Sequence, residues 1–210
     1  MTRIFTHATV WALLLINGLQ AQEKYDVTLD LVNVTRVEDR VKVTISTPPV
    51  KDEKIVYVLP AVIPGSYSRK DFGRFVHRFY ALDAFGNPLK VKKLDANRIL
   101  IKNPKNQTLS KIEYWVDDTW DVEKDSPNEN KKTFNYIFQP GGTNIDAGRN
   151  FVLNIPGFFG FIEGYADRPY KVTILKNANL YGATSAAITH EGPGRDVITA
   201  TGYPELVDNP

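Results

Sequence analysis

Tyr25-Asp26-Val27-Thr28-Leu29-Asp30-Leu31 decides the fold class. Val27, Leu29 and Leu31 fall on one face of an extended chain and Asp26, Thr28 and Asp30 on the other, because successive side chains of a strand point to opposite faces. After the polar turn Glu38-Asp39-Arg40 the alternation resumes, with Val41, Val43 and Ile45 set against Lys42, Thr44 and Ser46. Two half-buried strands joined by a polar turn predict a hairpin.

The same pattern extends outward from this pair. Ile55-Val56-Tyr57-Val58-Leu59 is apolar on both faces, as a central strand is, and Pro60 ends it. Residues 75–82 make an aromatic-rich strand, closed by the turn residues Phe85-Gly86-Asn87-Pro88 and answered by 89–93. Further short strands are expected at 99–101, 112–116, 134–138 and 151–153. Residues 170–175 alternate cleanly, and 186–189 and 197–201 flank the turn Gly192-Pro193-Gly194. Val, Ile, Thr, Tyr and Phe fill the apolar positions, which suits a pleated surface. No segment after residue 21 carries helical spacing over three turns. The expected fold is therefore all-β, a β-sandwich of mostly antiparallel strands. Residues 117–132 form the longest polar stretch and are expected to be an exposed loop.

The first 21 residues have the make-up of an export signal: Arg3, then a short apolar run from Ala8 to Ile16, then Ala21 ahead of Gln22. The expected division is a signal peptide at 1–21 and one β-sandwich domain at 22–210, periplasmic or extracellular. Cysteine is absent, so no disulfide framework assists the core. Lys+Arg 26 against Asp+Glu 24 leaves a net charge of +2, which offers no electrostatic footprint for nucleic acid. No second apolar run is long enough to span a bilayer.

Few groups of residues in the chain could carry catalysis. A zinc hydrolase needs three protein ligands and an open position for water. Outside the export signal only His77 and His190 are available. His190-Glu191 resembles the start of a His-Glu-x-x-His helix, but Pro193 would break that helix and Gly194 stands where the second histidine belongs. Ser66 and Ser68 lie in a Pro-Gly turn that lacks the second glycine of a nucleophile elbow. Asp117, Asp118, Asp121, Glu123 and Asp125 surround Trp120, and paired carboxylates beside an aromatic can cut glycosides. The simpler account is a solvated acidic loop balanced by Lys124, Lys131 and Lys132. No catalytic or metal residue is therefore assigned, and no cofactor is expected in this chain.

Leu59-Pro60-Ala61-Val62-Ile63-Pro64-Gly65-Ser66-Tyr67-Ser68-Arg69-Lys70-Asp71-Phe72 resembles a stretch in the amino-terminal domain of the glycyl aminopeptidase family of zinc peptidases. Phe79-Tyr80-Ala81-Leu82-Asp83-Ala84-Phe85-Gly86-Asn87-Pro88-Leu89 looks like a hairpin of that family. The stretch from Thr143-Asn144 to Phe151, then Gly157-Phe158-Phe159-Gly160-Phe161-Ile162-Glu163-Gly164, follows in the same order and spacing. Tyr203-Pro204-Glu205-Leu206-Val207-Asp208-Asn209-Pro210 is similar to its closing segment.

The resemblance implies a β-sandwich that precedes a thermolysin-like catalytic domain, whose zinc site has no matching positions here. Zinc is thus implied only for that absent domain, and the implied parent hydrolyses peptides with small amino-terminal residues. The expected function is a non-catalytic amino-terminal domain of a secreted zinc aminopeptidase. It would dock on the catalytic domain of the same polypeptide and help shape the cleft for a peptide substrate. Tyr67, Arg69, Phe158, Phe159 and Tyr165 are the residues expected to face that domain or the substrate. Phe158, Phe159, Phe161 and Tyr165 crowd a segment where alternation fails, and with Leu206 and Val207 they are expected to form an apolar patch. The alternative is a free-standing envelope module that binds glycan or protein through surface aromatics.

Overall fold

The alternating stretches become paired strands with their apolar sides inward. The computed structural model describes residues 23–35, 39–62, 69–119 and 142–209. β1 (Tyr25–Asp30) and β2 (Arg40–Ser46) form the expected antiparallel hairpin, with Leu29 opposite Val43. Tyr25, Val27, Leu29, Val41, Val43 and Ile45 are all buried.

β3 (Lys54–Val58) follows, then a 3-10 turn (Phe72–Phe75), β4 (Val76–Asp83), β5 (Val91–Lys93), β6 (Arg98–Lys102) and β7 (Leu109–Asp117). The second half holds β8 (Asn144–Asp146), β9 (Asn150–Val152), the short helix α1 (Ile155–Phe158) and β10 (Phe161–Ile162). It ends with β11 (Tyr170–Leu175), β12 (Ile188–His190), β13 (Arg195–Ala200) and the short helix α2 (Tyr203–Val207).

Seven strands make the larger sheet, in the order β12-β13-β11-β1-β2-β7-β4. A four-stranded sheet, β10-β3-β6-β5, covers it, and β8 and β9 pair separately. Each pairing is antiparallel except β1 with β11, where Tyr25 stands opposite Tyr170. The inner faces meet in one core, in which Val43, Ile112 and Tyr114 of the larger sheet join Ile55, Tyr57 and Ile101 of the smaller. This is the β-sandwich expected from the sequence.

Two expectations change in the structure. The stretch 75–93 is a corner between sheets rather than a hairpin within one. β4 pairs with β7 and meets the returning chain over a short stretch around the Leu82–Pro88 bridge, where Asp83 N donates to Asn87 O at 3.0 Å and Leu89 N to Ala81 O at 2.8 Å, while β5 joins β6 in the smaller sheet. Asp83 builds that corner, its Oδ1 accepting from the N–H groups of Phe85 (2.9 Å) and Asn87 (2.8 Å), with Gly86 at φ 83°. Residues 155–158 and 203–207 are single helical turns, too short to display a helical period. The export signal, the expected strand at 134–138 and most of the acidic loop lie outside the described residues.

Candidate functional site

The two most distinctive sequence stretches meet where Phe72, closing the first, lies against Gly157, opening the second. After β3 the chain leaves at Leu59 and returns beside itself, with the N–H groups of Lys70 and Asp71 donating to Ala61 O at 2.8 and 3.0 Å. Asp71 takes a left-handed conformation, φ 50°, that a residue with a side chain rarely adopts. Its carboxylate explains why the strain is tolerated. It accepts from Arg69 Nε at 2.9 Å and from Asn97 Nδ2 at 2.6 Å. The Arg69 guanidinium and the Asn97 amide together hold the Asp71 carboxyl below the usual carboxylate range.

Asn97 also accepts from Gly73 N at 3.1 Å, and a Cβ on Gly73 would stand 2.2 Å from Ala96 O. Only glycine admits that approach. The 3-10 turn then buries Phe72 and Phe75. Phe72 reaches α1 at Gly157, where an added Cβ would sit 3.6 Å from Phe72 Cδ1 and 3.7 Å from Thr143 Oγ1. Residues 69–75, 143 and 155–158 therefore form one seam at the surface of the sandwich.

Behind the seam, residues 158–162 lead into the edge of the smaller sheet, and tyrosine hydroxyls meet their backbone groups. Gly160 N donates to Tyr57 Oη at 3.0 Å, and Ile162 N donates to Tyr25 Oη at 2.9 Å. Tyr114 donates to Phe158 O at 2.6 Å, Tyr203 to Phe159 O at 3.1 Å and Tyr170 to Gly160 O at 2.9 Å. Tyr57 and Tyr114 lie 3.0 Å apart, oxygen to oxygen. Because Tyr114 spends its proton on Phe158, Tyr57 must donate to Tyr114, which fixes one direction along the chain of bonds. Burial pushes all five phenols well above the usual tyrosine range.

These bonds correct the expected apolar patch. Phe158 and Phe159 are 0% and 1% exposed, so they belong to the core rather than to an exposed patch. Leu206 is also buried, and Tyr203 and Leu206 tie α2 to the body. Alternation fails across 157–162 because a helical turn passes directly into a strand. Phe161 is half-buried against Tyr203, with ring centroids 4.6 Å apart. Tyr165 is half-buried beneath the Arg168 guanidinium. Arg69 stays exposed at the seam, and Tyr67 lies outside the described residues. The core tyrosines were not singled out from sequence, although a tyrosine on a buried stripe signals a hydroxyl that needs a partner.

Metal chemistry finds no fit among the described residues. His77 faces Asp117, His190 Nδ1 lies 2.7 Å from Asp196 Oδ1, and no three His, Cys, Asp or Glu residues gather in a way that could hold an ion. Asp117 also pairs with Arg40, and buried Asp118 accepts from Ile145 N, so these two acids serve structure.

The fold defines a two-layer β-sandwich domain with no metal-ligating cluster among its described residues. More specifically, the chain belongs to the family of the peptidase M61 N-terminal domain, whose family model matches residues 24–210. Among solved structures it is similar to an aminopeptidase N family protein from Idiomarina loihiensis, at 20% identity and a TM-score of 0.68. The match covers 88% of this chain and 28% of that one. An M1 zinc metallopeptidase from Deinococcus radiodurans, bound to a Tyr-Ser-Ala substrate, matches at 15% identity and a TM-score of 0.40, covering 85% of this chain and 38% of that one. The comparison with curated proteins finds no match.

Proposed function

We propose that this domain is the non-catalytic amino-terminal part of an exported zinc aminopeptidase, and that it docks on the catalytic domain and helps wall the peptide cleft. The seam carries the proposal. Its backbone is fixed by Asp71, Asn97 and Gly73, and it presents the exposed Arg69 from a rigid base. α2 packs against α1, so a domain following residue 210 would leave the sandwich on the α1 side. Zinc and the small-residue peptide substrate belong to that catalytic domain.

The test is association in trans between the chain and the separately produced catalytic domain. A one-to-one complex by size-exclusion chromatography with light scattering is expected, weakened by Arg69→Glu. A catalytic domain that is fully active and shows no association would refute docking. Export is tested separately, since the amino terminus recovered from the native host should begin near Gln22.

A second reading rests on Tyr80 and Trp115, which form an edge-on pair with centroids 6.3 Å apart on the outer face of the larger sheet. Lys42 and Arg78 lie over the Trp115 ring at 5.2 and 5.8 Å. Such a surface suits a glycan or protein partner, and glycan-array binding lost in Trp115→Ala would favour it.

A further inference from the structure

Beside the seam, which it meets at Ile155, a cavity of about 170 Å³ lies beneath the chain between β11 and β12. Leu31, Phe151, Phe159, Val172, Ile198 and Leu206 are among its walls, and Lys176 and Asp196 form its polar end. The two charged side chains are only 6% and 1% exposed. Buried polar atoms in folded proteins are almost always hydrogen-bonded. Asp196 Oδ1 meets His190 Nδ1 at 2.7 Å, but Asp196 Oδ2 receives no hydrogen bond from the protein. Its nearest cation, Lys176 Nζ, stands 3.7 Å away, beyond hydrogen-bond reach. Lys176 donates to Leu180 O at 2.8 Å and Pro193 O at 2.9 Å. An ammonium has three N–H groups, so a third donor remains.

We infer that this cavity is a binding site for a small neutral ring compound bearing one hydroxyl, which donates to Asp196 Oδ2 and accepts from Lys176 Nζ. Charge selects the head group. An ammonium would be repelled by Lys176 and a carboxylate by Asp196, whereas a hydroxyl is donor and acceptor at once. Volume selects the body, because a dry cavity of about 150 Å³ lined by apolar side chains is known to hold benzene. Gly182 closes the polar end tightly, since a Cβ there would lie 2.2 Å from Asp196 Oδ2. Ala183 is exposed beside it and also borders the cavity.

Phenol and toluene separate the two parts of the inference, since they match in size and differ in the hydroxyl. Both are titrated into the full 15N-labelled chain and followed by amide shifts. Phenol is expected to saturate, with shifts centred on Phe151, Gly182 and Thr184. Toluene should bind at least about tenfold more weakly, since it lacks both hydrogen bonds to charged groups. Ala183→Trp places a ring at the exposed border without touching the buried pair. It should abolish the phenol shifts while leaving the melting temperature near that of the parent. Equal binding of both probes would overturn the inference by showing an unselective apolar void. Binding of neither, or phenol binding that survives Ala183→Trp, would overturn it as well.

Discussion

Gly160→Ala tests whether the seam is held from behind as the structure indicates. A Cβ at this position would lie 2.3 Å from Val58 O and 2.9 Å from Tyr57 Cε1, where ordinary contact begins at 3.4 Å. The carbonyl belongs to β3 and cannot rotate aside, so β10 must move away by roughly 1 Å, a backbone shift of the kind that overpacking forces. That movement opens the pairing of Phe161 with Val58 and stretches two buried bonds, Gly160 N to Tyr57 Oη and Tyr170 Oη to Gly160 O. Overpacking of this sort costs about 1–3 kcal/mol. The two weakened hydrogen bonds add about 1 kcal/mol each. At about 2–4 °C per kcal/mol for a domain of this size, the melting temperature should fall by about 10 °C. Thermal melts followed by circular dichroism read the effect. Gly194→Ala is the control, because its Cβ would meet Lys176 O at an unstrained 3.4 Å. Melting temperatures of the two variants within about 2 °C of each other would refute the close-approach argument.

Tyr114→Phe removes a hydroxyl that donates to Phe158 O and accepts from Tyr57, and leaving those buried partners unmet should cost about 1–3 kcal/mol by urea denaturation. The five buried phenols have raised folded-state pKa values, so their contribution is complete below the unfolded tyrosine value of about 10 and is lost as pH rises above it. Ultraviolet titration should therefore show their ionisation appearing together with alkaline unfolding, not before it. Asp71 runs the other way: its depressed carboxyl stabilises the fold above the unfolded value of about 3.9 and ceases to do so as pH falls through the lower folded value. The difference in urea midpoint between the parent and Asp71→Asn should accordingly be steady from pH 5 to 7 and shrink below about pH 4.

The period-two stretches were legible because one face of each strand meets the core and the other meets water. Tyr25 to Asp30 and Arg40 to Ser46 carry that difference in every residue pair. The 75–93 corner was not legible, because turn residues such as Gly86 and Asn87 specify a reversal without saying which sheet receives the next strand. Phe158 and Phe159 were misplaced at the surface for a related reason. Their segment changes period within a few residues, and what buries it is a set of tyrosine hydroxyls from distant strands. The parallel pairing of β1 with β11 also left no local mark, since Val27 and Val172 show the same alternation whichever way their strands run. Arg69 was named from a stretch chosen as distinctive, and the structure bonds it to Asp71, whose left-handed backbone no sequence pattern announced.

The place of β1 between β2 and β11 governs how the chain can fold while it is being made. Tyr25 is synthesised near the start, yet its neighbour Tyr170 emerges only after most of the domain has left the ribosome. At roughly 5–20 residues per second, the interval is on the order of ten seconds. Throughout it, one side of the β1–β2 hairpin presents unpaired N–H and C=O groups, a ready template for a wrong strand. β13 must then arrive to cover β11 in turn. Nascent chains stalled before residue 170 should thus be held by chaperones and digested by proteases, and protection should appear in a single late step once β11 and β13 are both free to pair.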